Sequence, residues 1–285
     1  MIHYIENEEL KIGVKDFGCE LTSVFSKKIS YEYLWQGDEK IWYGQSPILF
    51  PIVGRLIDDR YTLDGVEYNM PKHGFARKSE WKFLGTTDNS MSFLLTQNEE
   101  TLKIYPYNFE LTVTFSIDGK KLKATHSVKN LNNKTMYFSI GAHPGFNCAI
   151  GDKLTFSEKE TLSSEKIDLE KSLRLPESFE LLNNEDEIVI SEHIFDEDAL
   201  ILKGVKSEYI TLSSAAHNRR IKFNIGHAPY LGIWAKPNAP YVCIEPWFGV
   251  NDSTVKKRDF SEKDEIISLS EMSEFSFSWE AEFSH

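Results

Sequence analysis

The chain predicts an all-β fold, a large antiparallel β-sandwich. Three observations carry that expectation. Apolar and polar residues alternate with period two in segment after segment, Asp-Gly pairs separate several of those segments, and helical periodicity is scarce. Arg60-Tyr61-Thr62-Leu63, Asp64-Gly65, Val66-Glu67-Tyr68 reads as a short hairpin. Ser90–Leu95 reads as a further strand. Leu111–Ile117 alternates cleanly, turns at Asp118-Gly119, and resumes at Lys121–Thr125, a longer hairpin. Met136-Tyr137-Phe138-Ser139-Ile140 is an apolar run suited to a buried strand. Residues 157–173 are densely charged without helical apolar spacing and read as a surface connection with at most a helical turn; Ser261–Glu265 reads the same way. Ala199–Leu202, Tyr209–Leu212, Ile221–Ile225, Leu231–Trp234 and Phe275–Trp279 complete the strand set. No Pro/Ser-rich linker or repeat divides the chain, so a single domain over residues 1–285 is expected.

Composition narrows the function. With 41% hydrophobic and 13% aromatic residues the chain can build a substantial core without metal or disulfide staples. A net charge of −12 disfavours nucleic acid, because an acidic surface repels phosphate backbones and no Lys/Arg stripe compensates. Neutral small molecules stay open as partners. Cys19, Cys148 and Cys243 are sparse, odd in number and lack CxxC spacing, which predicts reduced, buried thiols in a cytoplasmic protein. The start MIHYIENEEL has no signal-peptide pattern, and no apolar stretch approaches a membrane span, so no membrane partner is expected.

Four segments set an ionisable group beside Gly, Pro or an aromatic ring. In GAHPGFN (141–147), His143 follows the apolar run and precedes a Pro-Gly turn, so a strand delivers an imidazole to a rigid corner. In CIEPWFGV (243–250), Glu245 closes an apolar strand among Pro246, Trp247 and Phe248. A glutamate in such company is paired or functional, and burial would raise its pKa toward that of a general base. KHGFAR (72–77) places His73 in an irregular link, and FPIVGRL (50–56) places Arg55 after a glycine beside an apolar run. Alone, His73 also suits a turn histidine satisfied by backbone, and Arg55 a surface arginine.

In this order and spacing, FPIVGRL, HGFAR, GAHPGFN and CIEPWFG resemble the aldose 1-epimerase (galactose mutarotase) family, over most of the chain to about Trp247. The outline is similar to the shorter bacterial branch that includes the LacX group. The resemblance implies a sandwich with a sugar cleft on a concave face, and interconversion of the α and β anomers of a free aldose. It makes Glu245 the base for the C1 hydroxyl and His143 the acid for the ring oxygen, with Arg55 and His73 as donors to the sugar. It also implies a sugar-gripping aspartate before a strand in the second half; Asp198 matches best, with Asp196 an open alternative. Trp247 would offer an apolar ring to the sugar's C–H face, whereas Trp35 and Trp42 suit ordinary packing better. One acid and one base on two oxygens of one carbon need neither metal nor cofactor, given pKa values near neutrality.

Two rivals remain. A hexose 6-phosphate substrate would require extra cations, for which Arg77 and Lys78 are available. A sugar-binding module without turnover would keep the pocket and not need the acid–base pair. A glycosidase needs two converging carboxylates and only Glu245 has a distinctive setting; a metal site from His73, His143 and Glu245 lacks supporting ligand spacing. Monomer and homodimer fit equally.

Overall fold

The period-two pattern of the sequence is a period-two pattern of burial in the computed structural model, which describes residues 1–214, 216–255 and 258–285. Along Phe109–Asp118 alternate side chains are buried, and Lys121–Asn130 repeats the pattern in complementary phase. The two pair antiparallel from Phe109↔Asn130 to Asp118↔Lys121. The loop is therefore Gly119-Lys120, one residue beyond the expected Asp118-Gly119, with the glycine at the first central position at φ 53°. The shorter hairpin closes as read. Leu63 faces Val66, and Asp64 (φ 51°) and Gly65 (φ 78°) supply the two left-handed residues of a type I′ turn.

Among the described residues a 15-stranded antiparallel sheet dominates. Its order runs Ile48–Leu49, Ile140–Ala142, Tyr241–Phe248, Tyr230–Trp234, Leu200–Lys203, Lys153–Asp168, Tyr209–Ser213, Arg220–Asn224, Glu274–Ser284, Lys121–Asn130, Phe109–Asp118, Ser90–Thr96 and Lys82–Thr86. Gly145–Asn147 adds to Tyr241–Phe248, and Leu173–Val189 to Lys153–Asp168. A four-stranded N-terminal sheet (Ile2–Glu6, Leu10–Lys15, Glu20–Ser26, Tyr31–Glu32) and two two-stranded ribbons complete an all-β sandwich. Phe50, Phe109, Phe138, Tyr105 and Trp279 sit in its main core. A smaller apolar cluster of Leu49, Val53, Ile167, Ile201, Tyr230, Trp247 and Val250 packs separately.

Helical features are small. Phe260–Glu262 is a 3-10 turn, in keeping with the connection expected there, and Glu99–Ile104 is a short α-helix capped by Asn98, whose side chain accepts from the Glu100 and Thr101 N–H groups. The expected connection at 157–173 is corrected. Lys153–Asp168 and Leu173–Val189 form the chain's longest hairpin. Its alternation is written in Leu154, Phe156, Leu162 and Ser164, all buried, while the other face carries charge. Buried Glu160 breaks the hydrophobic pattern yet is satisfied, accepting the N–H groups of Lys206 (2.9 Å) and Ser207 (2.7 Å). No helix among the described residues is long and apolar enough to cross a membrane.

Candidate active site

Tyr241–Phe248 pairs along one edge with two short strands in succession. Ile140 and Gly141 face Phe248 and Trp247, then Gly145, Phe146 and Asn147 face Cys243, Val242 and Tyr241. Ala142, His143 and Pro144 are left between, opposite Pro246, Glu245 and Ile244, so His143 faces Glu245. Pro144 has no N–H to give the ladder, but its carbonyl accepts the Ile244 N–H at 3.2 Å, and the strand resumes at Gly145. The strand bearing Glu245 runs on to Phe248 rather than ending at the carboxylate. The result is direct contact: His143 Nε2 lies 3.2 Å from Glu245 Oε2, with Glu245 1% and His143 10% exposed.

Glu245 Oε2 also accepts the Trp247 indole N–H at 3.1 Å. The indole lies against two glycines: a Cβ at Gly232 would fall 2.5 Å from Cζ2, and one at Gly141 2.8 Å from Cδ1. Neighbouring strands thus leave out side chains where the ring rests. Trp247 is 4% exposed and holds the carboxylate, with little of its ring presented to a ligand.

A cavity of about 310 Å³ opens onto the pair, at the small end of the roughly 300–1,000 Å³ typical of small-molecule sites. It brings together five of the six residues expected from the sequence: His73, His143, Asp198, Glu245 and Trp247. The sheet order explains the convergence, since His143, Glu245, Trp234, Asp198 and Ile167 come from or beside five successive strands. The Lys72–Arg77 turn joins them through the Phe50↔Gly74 bridge. A Cβ at Gly74 (φ 69°) would meet Phe50 O at 2.2 Å, so only glycine allows that approach.

Arg55 is the exception and does not line the cavity. Its Nε and Nη2 donate to Asp59 Oδ1 and Oδ2, each at 2.7 Å, a bidentate pair at the surface. The acidic turn four residues downstream satisfies the guanidinium. Arg77 takes a place in the cavity wall instead, its Nη2 donating to Lys72 O at 2.9 Å and its buried Nε without a partner. Asp198, at φ 73°, lines the cavity, whereas Asp196 is turned to the surface with His193 Nδ1 2.8 Å from its Oδ2.

Other wall residues were not singled out from sequence. Trp42, expected to be packing, stands with its ring centroid 5.1 Å from that of His143, and Trp234 edges the same imidazole at 5.6 Å. Trp35 is core, as expected. Lys72, Ile167 and Asn251 complete the chemically relevant wall. Lys72 was legible inside the KHGFAR segment; Ile167 was hidden in the charged stretch read as connection.

Burial governs the charges. It pushes the Glu245 carboxyl well above the ordinary carboxylate range, opposed by the Trp247 hydrogen bond and the Lys72 charge. It holds the His143 imidazole down at about 3, with Arg77 and Lys72 acting in the same direction. The two groups thus move apart rather than meeting near neutrality. His73 is likewise held well below its ordinary value by burial and then by Lys72 and Arg77. Its Nδ1 accepts the Gly54 N–H at 3.1 Å, so the neutral ring carries its proton on Nε2 as a donor. Burial also lowers the Lys72 ammonium, against the attraction of Asp198. Behind the pair, Cys243 adds a thiol: ligand atoms of His143, Cys243 and Glu245 all lie within 4.8 Å of one another.

A family model described as Aldose 1-epimerase matches residues 1–264. The chain belongs to the aldose 1-epimerase family. This aldose 1-epimerase family member is 34% identical over 283 residues to the plasmid-encoded Protein LacX of Lactococcus lactis subsp. lactis, covering 93% of each chain, and the chromosomal LacX matches equally. Among solved structures it superposes on a galactose mutarotase related enzyme from Lactobacillus acidophilus with TM-score 0.95 and 31% identity, over 100% of this chain and 98% of the other. A galactose mutarotase-like protein from Lactobacillus casei ATCC 334 gives TM-score 0.94 and 29% identity with full coverage of both. The epimerase family places the protein among isomerases of mutarotase type.

Proposed function

We propose that the protein interconverts the α and β anomers of a free aldohexose, with Glu245 taking the C1 hydroxyl proton and His143 protonating the ring oxygen. The observation that carries this reading is the 3.2 Å contact between His143 Nε2 and Glu245 Oε2 at the wall of the cavity. Ring opening removes a proton from one oxygen of C1 and adds one to the other, so the two groups must act side by side. Paired glycosidase carboxylates, by contrast, stand roughly 5–9.5 Å apart.

A single proton shared by the pair suffices for the cycle. With that proton on His143 and Glu245 ionised, transfer from the C1 hydroxyl to Glu245 and from His143 to the ring oxygen yields the open-chain aldehyde. The pair is then left as neutral imidazole and carboxylic acid, the forms that burial favours. Rotation about C1–C2 followed by reversal of both transfers closes the other anomer. The proton count of the site never changes, and the buried pair exchanges nothing with solvent. His73 Nε2–H and Asp198, which line the cavity, would hold sugar hydroxyls, and the rings of Trp42 and Trp234 would face its C–H surface.

Polarimetry on freshly dissolved α-D-glucose and α-D-galactose tests this reading, with spontaneous mutarotation as the baseline. Glu245→Gln is expected to lower kcat by about 10²–10⁴-fold while sugar binding survives. Wild-type protein that binds sugar without accelerating mutarotation would replace the enzyme reading with the binding module.

A hexose 6-phosphate is the second reading, favoured by one observation: Lys72 and Arg77 both line the cavity, more cation than a neutral sugar requires. It predicts that α-glucose 6-phosphate is turned over with at least about tenfold higher kcat/KM than glucose, and that Arg77→Met removes this preference. Equal or lower kcat/KM for the ester leaves the free sugar as substrate.

A further inference from the structure

We propose that His143, Cys243 and Glu245 form a binding site for a thiophilic divalent cation, with Zn2+ as the reference ion, and that occupancy reversibly inhibits the enzyme. The inhibitory half rests on the acid–base reading of the pair; the binding half does not.

Imidazole nitrogen, thiolate sulfur and carboxylate oxygen are the three ligand types Zn2+ accepts, and a thiolate among them selects against Mg2+ and Ca2+. Cys243 and Glu245 are two apart on one strand and therefore project from the same face, and the interruption at His143-Pro144 brings the imidazole to them from the adjacent strand. Zn–ligand bonds of about 2.0–2.3 Å put tetrahedral ligand atoms about 3.3–3.8 Å apart. His143 Nε2 and Glu245 Oε2 already stand 3.2 Å apart, and with the thiol the whole trio lies within 4.8 Å. Side-chain shifts of about an ångström close the triangle, and two of its corners, His143 and Glu245, line the cavity.

Charge balance favours the ion. A carboxylate and a thiolate together carry the two negative charges that neutralise a dication. One feature limits the affinity. A ligating histidine normally donates its other ring N–H to an acceptor, and loss of that partner costs about 10–100-fold in metal affinity. His143 Nδ1 is buried and has none. The site is therefore suited to reversible occupancy rather than to a resident structural metal.

The test uses the full-length protein and Co2+ as a spectroscopic substitute, followed by calorimetry with Zn2+ and polarimetric rates with and without Zn2+. The wild type is expected to bind one Co2+ with a near-ultraviolet thiolate charge-transfer band and intense tetrahedral d–d bands. Cys243→Ser should lose the charge-transfer band, bind Zn2+ at least about tenfold more weakly, and resist inhibition when each rate is taken relative to that variant's own zinc-free rate. Cys243→Ala provides a second fold-checked variant, and Cys148→Ser, at the half-buried thiol elsewhere, should behave as wild type. No thiolate band in the wild type, or one that survives in both Cys243 variants or disappears in Cys148→Ser, overturns the site. Binding through Cys243 without loss of rate overturns the inhibitory half. A band that depends on Cys243 in a protein that turns over no sugar would uphold the metal site and refute the mutarotase reading instead.

Discussion

Replacing Gly232 by alanine reaches the carboxylate without touching it. The added methyl would fall 2.5 Å from Cζ2 and 2.8 Å from both Cε2 and Cη2 of Trp247, where carbon–carbon contact settles near about 3.5–4.0 Å. The indole must retreat by about 1 Å. Nε1 is bonded to Cε2, so its 3.1 Å hydrogen bond to Glu245 stretches beyond useful length. A hydrogen bond to a charged group contributes about 1.5–3 kcal/mol, which converts to roughly a 10–100-fold fall in kcat/KM if the ionised carboxylate is what the indole supports. Overpacking adds about 1–3 kcal/mol of destabilisation, visible as a lower Tm. Polarimetric kinetics on Gly232→Ala, Trp247→Phe and the double variant separate these effects. Trp247→Phe removes the N–H and should give a similar kinetic loss, and the double variant should lose no more than either alone. Wild-type kcat/KM in Gly232→Ala, or losses that add in full in the double variant, would refute the route through the hydrogen bond.

Three further outcomes follow from the same structure. Lys72→Met should move the alkaline limb of the kcat/KM profile upward, because the Lys72 charge lowers the carboxyl that loses its proton there; an unmoved limb contradicts this. Asp198→Ala should raise KM for sugar with a smaller change in kcat, while Asp196→Ala, at the surface, changes neither, and reversed effects would exchange the two assignments. His126 is buried against Phe277 with parallel rings 4.5 Å apart, and burial holds it down from 6.5 to about 3. The folded state keeps it neutral while the unfolded state protonates, so its contribution is complete above pH 6.5 and is lost as pH falls toward 3. Urea unfolding of His126→Phe across that window should therefore show a pH slope shallower by about 1.4 kcal/mol per unit, and an unchanged slope would refute the assignment.

The strands were legible wherever a segment buries one face and wets the other, as in Phe109–Asp118, because alternation is then written directly in residue type. Lys153–Asp168 escaped for a physical reason: Ser164 and Glu160 occupy buried positions through hydrogen bonds, and neither looks like core. Glu245 and His143 were legible because each sits in unusual local company. Trp42 and Trp234 were not, since an indole in a cavity wall and one in a core have the same neighbours in sequence. Arg55 shows the converse. Its segment resembles the family pattern, yet the carboxylate of Asp59 four residues away claims the guanidinium.

On the proposed mutarotase reading, the interruption at His143-Pro144 separates chemistry from selectivity. Glu245 lies on a strand and His143 on the two-residue link between two short strands that pair with it on either side of the gap, so the spacing of the two side chains is inherited from the sheet. Asp198, Trp42 and the Lys72–Arg77 turn stand instead on connections between strands. On that reading, loop exchange at those three places would change which hydroxyl pattern is accepted and leave the proposed acid–base pair in register. Swaps confined to them would then offer a route to new sugar preference on an unaltered Glu245–His143 frame.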